Sequence, residues 1–276
     1  MLNAGETRAA VGIDSVTRKI HSEMVLLLGW GRAILLQLAH PLVACAIADH
    51  SLYRAQRLRR LHRTLDAMLT LTFGTAQEVE RASRAINVAH HRVHGKLRER
   101  AGVFPAGTDY SAEDPALLRW VHATLLDSFL RTYELYVGLL TSEEKDRYCA
   151  EASGIEPLLR IPEGYLPRSV GELQEYMDET LASGEITVTE TARSLARDII
   201  SPGVLWAGQP LVWLMQLPTI GLLPLAIRSA YGFPWDSRHE AALRLSAELV
   251  RGLLPMAPSV FRHWPYGRAR RFSNTE

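Results

Sequence analysis

The 276-residue sequence has few cysteines, no excess of either charge and no long uninterrupted hydrophobic run. Its two cysteines, Cys45 and Cys149, lie outside any CxxC spacing, which excludes a disulfide framework and a cysteine-based zinc site. We expect both to be buried as small apolar residues. The formal net charge of +1 gives no general attraction to nucleic acid, so we expect no nucleic-acid partner.

The sequence begins without the basic, apolar and small-residue regions of a secretory signal, so a cytoplasmic location is the expectation. Residues 24–48 and 204–227 are rich enough in apolar residues to resemble membrane spans. The first stretch is interrupted by an arginine, a histidine and a proline, and the second by three prolines. Because these residues oppose a continuous spanning helix, we expect neither stretch to span a membrane, and we predict short buried helices for residues 204–227. Contact with a membrane surface is the less favoured interpretation.

Several catalytic motifs are missing. The sequence has no GxSxG, GxxxxGK[ST], GxGxxG or HExxH motif, which argues against common hydrolase, nucleotide-binding and zinc-protease sites. It also lacks the paired ExxH motifs of di-iron bundles and the CxxCH motif of covalently attached haem. Any haem would therefore be bound without a covalent link.

Helical periodicity dominates the sequence, and strand-type alternation never extends far. The pattern predicts an all-α fold in a single domain, residues 1–276, and a globin-like core is compatible with it. Thr75 and Glu78 have the spacing of a capping box, and Pro115 after Asp114 marks a helix start. The predicted helices cover residues 23–45, 52–73, 75 to about 100, 115–140, a stretch from 142, 170–181, 187–199 and 237–254.

Three histidines lie within five residues: His90, His91 and His94. If the helix continues through them, His90 and His94 share one face, because positions i and i+4 do so. A histidine on a buried helix needs a partner for each ring nitrogen, and a metal ion is one such partner. The alternative is a partly exposed helix face with ordinary histidines.

His40 and His122 each lie in a largely apolar run. Two interpretations stay open for both residues: a hydrogen-bonded histidine of the core, or a group that lines a cofactor or substrate pocket.

Five arginines lie between residues 54 and 63. Arg60 and Arg63 share a helix face, and Thr64 adjoins them. Planar guanidinium groups suit paired contacts with carboxylates, which haem propionates would supply. The alternative is a solvated basic face, which we favour for Arg54 and Arg59.

Taken in order, several motifs resemble those of the MpaB-type oxygenase family, which are helical haem proteins that include rubber oxygenases. The matching segments are spread over much of the chain. They are residues 31–41, 48–51, 60–64, 73–75, 90–95, 110–115 and 120–125, followed by Leu223, Pro224, Arg228, Tyr231 and Gly232.

The resemblance implies that His90 is the proximal haem ligand and that Arg60, Arg63 and Thr64 lie near the distal face. The family pattern has a lysine where this chain has Arg63, and an arginine cannot shuttle a proton at neutral pH. The distal glutamate of the rubber enzyme has no clear counterpart, and His40 is the nearest candidate by position. We expect the cofactor-binding residues to include His90, His94, His122 and Thr124.

The sequence thus predicts a haem b-dependent oxidoreductase that uses dioxygen or peroxide on a small apolar substrate. His40, Arg60, Arg63 and Thr64 are the predicted catalytic residues, and His90 is the predicted iron ligand. Two alternatives stay open: a non-haem metal enzyme built on His90 and His94, and a non-catalytic haem carrier or sensor. The oligomeric state is not predicted.

Overall fold

The computed structural model describes residues 14–50, 57–200 and 209–265, with side chains except at 57–61 and 209–211. This part of the chain is all-α, as predicted, apart from one small hairpin. Its thirteen α-helices, which we number α1 to α13, are Val16–His21, Leu27–Leu38, Pro41–His50, Arg57–Phe73, Ala76–His91, Pro115–Tyr136, Ser142–Ala152, Val170–Ala182, Glu190–Ile200, Gln209–Gly221, Leu225–Tyr231, Ser237–Leu253 and Ser259–Arg262.

Helix α2 lies at the centre of the fold and packs most extensively against α6 and α10. Two glycines of α2 allow this close approach. A Cβ atom on Gly29 would collide with Thr132 of α6, and one on Gly31 would collide with Thr219 of α10. Glycine therefore lets both neighbouring helices lie against the central helix without a side chain between them.

The single helix predicted over 23–45 is wrong, because the chain bends by 103° between α2 and α3. Pro41 cannot continue α2 and instead begins α3. The carbonyl groups left at the end of α2 are buried and need donors. Trp120, Tyr231 and the Thr187 amide donate to the carbonyl oxygens of Leu36, Leu35 and Ala39, at 3.2, 2.7 and 2.9 Å.

None of the described helices is by itself long and apolar enough to cross a membrane. The bent pair formed by α2 and α3 meets that criterion by length and composition when the two are taken together. Most of the α2 and α3 side chains are buried inside the protein.

Helix α5 begins at the predicted capping box, in which Thr75 and Glu78 bond each other's backbone amides. It ends at His91, not near residue 100 as predicted. After it, β1 (His94–Lys96) pairs antiparallel with β2 (Asp109–Ser111), and Gly95 lies opposite Tyr110. A Cβ on Gly95 would lie 2.5 Å from the Tyr110 hydroxyl oxygen, so the tyrosine ring packs over this glycine.

The later helices agree with the predicted pattern. Asp114 caps α6 through its side chain, with Pro115 in the first turn. The apolar stretch 204–227 gives two short helices, α10 and α11, in its described part. Cys45 and Cys149 are free and buried, as predicted.

Candidate functional site

His90 lies in the last turn of α5 with its side chain half-buried. No hydrogen bond to its imidazole is found among the described residues. Burial lowers the pKa of His90, and the negative charge of Glu113 opposes this shift. The ring is therefore neutral at pH 7 and keeps a free lone pair, which is the form that binds a metal.

The other two histidines of the cluster do not share the position of His90. His91 is exposed, and its Nδ1 lies 3.1 Å from the Glu113 carboxylate. His94 is on β1 with an exposed side chain, so the prediction that His90 and His94 share one helix face is wrong. The helix ends early because the chain turns at residues 92–93 to form the hairpin.

A polar network attaches the hairpin to the end of α3. The Tyr110 hydroxyl donates to Asp49 at 2.8 Å, and Arg98 donates to the same carboxylate at 2.5 Å. His50 Nε2 donates to the His94 carbonyl oxygen at 3.0 Å. These bonds fix the segment that follows His90. Gly95 itself packs under the Tyr110 ring.

His40 is buried at the bend between α2 and α3, beside Phe104, with 5.3 Å between ring centroids. The Leu42 amide donates to His40 Nδ1 at 3.3 Å, so the proton of the neutral ring is on Nε2. Burial lowers the pKa of His40 to about 4, with an opposing effect of Asp114. The sequence left core and pocket roles open for His40. In the structure, Nδ1 accepts the hydrogen bond from the Leu42 amide, and Nε2 is available to donate.

His122 is 8% exposed on α6, and its Nε2 has no hydrogen-bond partner among the described residues. Burial lowers its pKa to about 4, with Glu156 opposing the shift. Thr124 is fully buried, and its hydroxyl donates to the Val121 carbonyl oxygen of the same helix at 2.9 Å. His122 Nε2 is thus available to bond a ligand, whereas the Thr124 hydroxyl already donates its hydrogen bond within the helix.

The predicted distal residues lie on α4. Arg60 is outside the described side chains, and Arg63 and Thr64 are exposed. Arg63 lines a groove of about 720 Å³ between α4 and the C-terminal segment. The groove walls are mainly apolar and include neither His40 nor His90. The lining residues are Met24, His62, Arg63, Leu65, Asp66, Leu69, Val260, Trp264 and Pro265.

The segment 153–168 borders both helices that carry unpaired histidines. Asn87, one turn before His90 on α5, donates to the Leu158 carbonyl oxygen at 2.9 Å. Glu156 of the same segment acts electrostatically on His122 of α6. Among the described side chains, no group of three or more His, Cys, Asp and Glu residues could hold a metal ion. A single axial ligand to a haem needs no such group.

A buried histidine of α1, His21, was not identified from the sequence. The Thr72 hydroxyl donates to Met68, so it accepts a bond from His21 Nδ1 at 2.9 Å. The Tyr148 hydroxyl then donates to His21 Nε2 at 2.8 Å. Burial lowers the pKa of His21 to about 3, and His122 lowers it further. Both ring nitrogens are bonded, so His21 is a structural residue.

The buried histidines predict a loss of stability in acid. Because the folded-state pKa of His21 is about 3, against 6.5 when unfolded, the unfolded chain binds more protons between these values. The free energy of unfolding should fall as the pH decreases below 6.5, by up to ~1.4 kcal/mol per pH unit for each such histidine. Urea unfolding from pH 7 to 4.5 measures the slope. The His21→Gln variant should show a shallower slope, and an unchanged slope would contradict the assignment.

Residues 17–252 match the family model described as the catalytic domain of ER-bound oxygenase mpaB/B'/rubber oxygenase. The match covers most of the chain, including every predicted site residue. No curated protein and no solved structure matches the chain.

Proposed function

We propose that this chain, which belongs to the mpaB/rubber oxygenase catalytic-domain family, is a haem b-dependent oxidoreductase with His90 as the proximal ligand. The observation that carries the proposal is the His90 imidazole itself. It is half-buried, neutral and without a hydrogen-bond partner among the described residues. His91, next in sequence, is exposed and bonded to Glu113.

The residues present fit a haem through their donor chemistry. His90 would supply one neutral imidazole nitrogen to the iron, and the buried Nε2 of His122 offers a second polar contact. Haem iron, when bound, supplies the oxidative chemistry with dioxygen or peroxide as the oxidant. The protein's own contribution would be to hold the iron at His90, whose side chain is half-buried.

His40 is the hydrogen-bond donor that the proposal favours. Its Nδ1 accepts the Leu42 amide, which directs the ring proton to Nε2. Since its pKa is about 4, the ring stays neutral over the physiological range, so its role in the proposal is to donate a hydrogen bond from Nε2 and not to transfer a proton. Arg63 carries a fixed charge and is assigned to binding and orientation.

The groove at Arg63, whose lining includes neither His40 nor His90, supports only the chemical class of the proposed substrate, which is apolar. Leu65, Leu69 and Trp264 contribute apolar walls, while Arg63 provides one cation at its edge. A small organic molecule gains binding energy from such walls through the burial of apolar surface, and one polar group fixes its orientation. We assign the substrate to this chemical class.

Absorption spectroscopy tests the proposal. The purified protein, as isolated or after addition of hemin, should show a Soret band. The Soret band of the ferrous form should shift on addition of carbon monoxide, because an iron with one open coordination position can bind the gas. A colourless protein that takes up no hemin would refute the proposal. A haem protein that does not react with carbon monoxide would instead indicate a carrier or sensor with both axial positions filled.

A further inference from the structure

One face of α6 carries two buried polar atoms without a hydrogen-bond partner among the described residues. They are Nε of Arg119 and Nε2 of His122. The two residues are three positions apart on the helix, so their side chains lie on the same side. Buried polar atoms without a partner are costly, and a ligand with acceptor atoms at this face would relieve the cost at Arg119 and, with the ring proton on Nε2, at His122.

Two tyrosines hold the Arg119 side chain. Its guanidinium carbon lies 4.1 Å from the ring centroid of Tyr176 and 5.0 Å from that of Tyr165. Such contacts orient a guanidinium and leave its N–H edge free. Within the described part of the chain, no carboxylate pairs with Arg119. The cation is thus positioned by aromatic rings and not neutralised by an acid.

Glu156, the carboxylate that acts electrostatically on His122, is already paired. Glu156 is buried and accepts hydrogen bonds from the Gly164 and Leu166 amides at 3.0 and 2.8 Å. It also forms an ion pair with Arg168 at 3.0 Å. Its charge is therefore balanced within its own loop, so an anion at Arg119 would not face an uncompensated carboxylate there.

The surroundings favour an anion attached to an apolar body. Leu118, Ile161 and Leu166 form a buried apolar cluster beside this face of α6. A guanidinium and a neutral imidazole protonated at Nε2 together match the two oxygens of a carboxylate. The ligand class is therefore a carboxylate carried by an apolar or aromatic molecule.

The same segment of chain connects this face to His90. Tyr165 contacts Arg119, and Leu158 accepts a hydrogen bond from Asn87, which shares a helix face with His90. We infer that Arg119 and His122 form a carboxylate-binding site and that it takes a propionate of the haem. This inference rests on the proposed function. A free organic carboxylic acid offers the same chemistry from a different source.

Titration with hemin and with hemin dimethyl ester tests the inference by absorption, independently of activity. The wild-type protein should bind hemin at least about tenfold more tightly than the ester, since a charge-assisted bond is lost on esterification. Arg119→Met should abolish the preference, and Arg119→Lys should keep part of it. Arg131→Met is the matched control, because Arg131 lies on the same helix, is half-exposed and pairs with Asp127. It should keep the full preference.

The outcomes distinguish an error in the propionate assignment from an error in the haem proposal. If hemin binds but the ester binds equally well, or if Arg119→Met keeps the preference, the propionate assignment is overturned while the haem proposal stands. If neither porphyrin binds, the proposed function fails. Octanoate and its methyl ester are then titrated instead, with tyrosine fluorescence as the signal that reports binding. Octanoate binding that is lost in Arg119→Met supports a site for free carboxylic acids. Failure to bind octanoate as well overturns the carboxylate site.

Discussion

Replacing His90 with alanine should abolish the Soret band of the purified protein, or weaken hemin binding by more than about 100-fold. Loss of an outer-shell partner of a metal ligand typically costs about 10- to 100-fold in metal affinity, and loss of the ligand itself costs more. The fold should survive, because His90 is only half-buried and no hydrogen bond to its imidazole is found among the described residues.

His91→Ala is the matched control. His91 is adjacent in sequence and also in the last turn of α5, but it is exposed and bonded to Glu113. This variant should bind hemin with wild-type affinity and show the wild-type spectrum. Loss of the Soret band in His91→Ala, together with an unchanged spectrum in His90→Ala, would show that His91 and not His90 is the iron ligand.

Replacing Arg32 with methionine should cause the largest loss of stability among the variants considered. Arg32 is 1% exposed, and its guanidinium donates to Asp127, Ser128 and the Leu222 carbonyl at 2.6, 2.7 and 2.7 Å. Methionine fills much of the same volume but leaves Asp127 buried without its closest partner. Breaking such a pair typically costs about 3–5 kcal/mol, which for a protein of this size lowers Tm by roughly 10 °C or more.

Arg131→Met provides the comparison for Arg32. Arg131 contacts the same Asp127 carboxylate at 2.9 Å, but its side chain is 51% exposed. An exposed pair of this kind contributes about 1 kcal/mol or less. Thermal unfolding followed by circular dichroism should therefore show a large shift for Arg32→Met and a small one for Arg131→Met. Equal shifts would mean that burial does not determine the contribution of the ion pair.

Local signals predicted the helices whose ends are set by neighbouring residues. The Thr75–Glu78 capping box and the Asp114 cap lie where the sequence placed them, because each involves residues no more than three apart. The bend at His40 was missed, since apolar residues continue on both sides of it. Its stability depends on distant donors such as Trp120 and Tyr231, which no local pattern shows.

The hairpin after His91 was missed for a similar reason. Each strand has three residues, which is too short for an alternating pattern to be recognised. The spacing of His90 and His94 therefore suggested a shared helix face that does not exist. Gly95, opposite Tyr110, was the signal that could have revealed the hairpin, because glycine inside a helix is unfavourable.

Part of the candidate site was identified from the sequence. His90, His40 and His122 were identified from unusual positions in apolar sequence or from the family resemblance, and the structure shows an imidazole nitrogen without a bond at each. Arg119 was missed, because an arginine in a helix is usually solvated. Its spacing of three residues from His122 was the available signal, and the two tyrosines that hold it come from elsewhere in the chain.

Imidazole rescue tests the central claim most directly. His90→Gly removes the proposed ligand and leaves room for free imidazole to bind the iron in its place. Hemin titration of this variant should give no Soret band of the wild-type form without imidazole, and a wild-type-like band when imidazole is added. A wild-type spectrum in His90→Gly without imidazole would contradict the account, because another residue would then hold the iron.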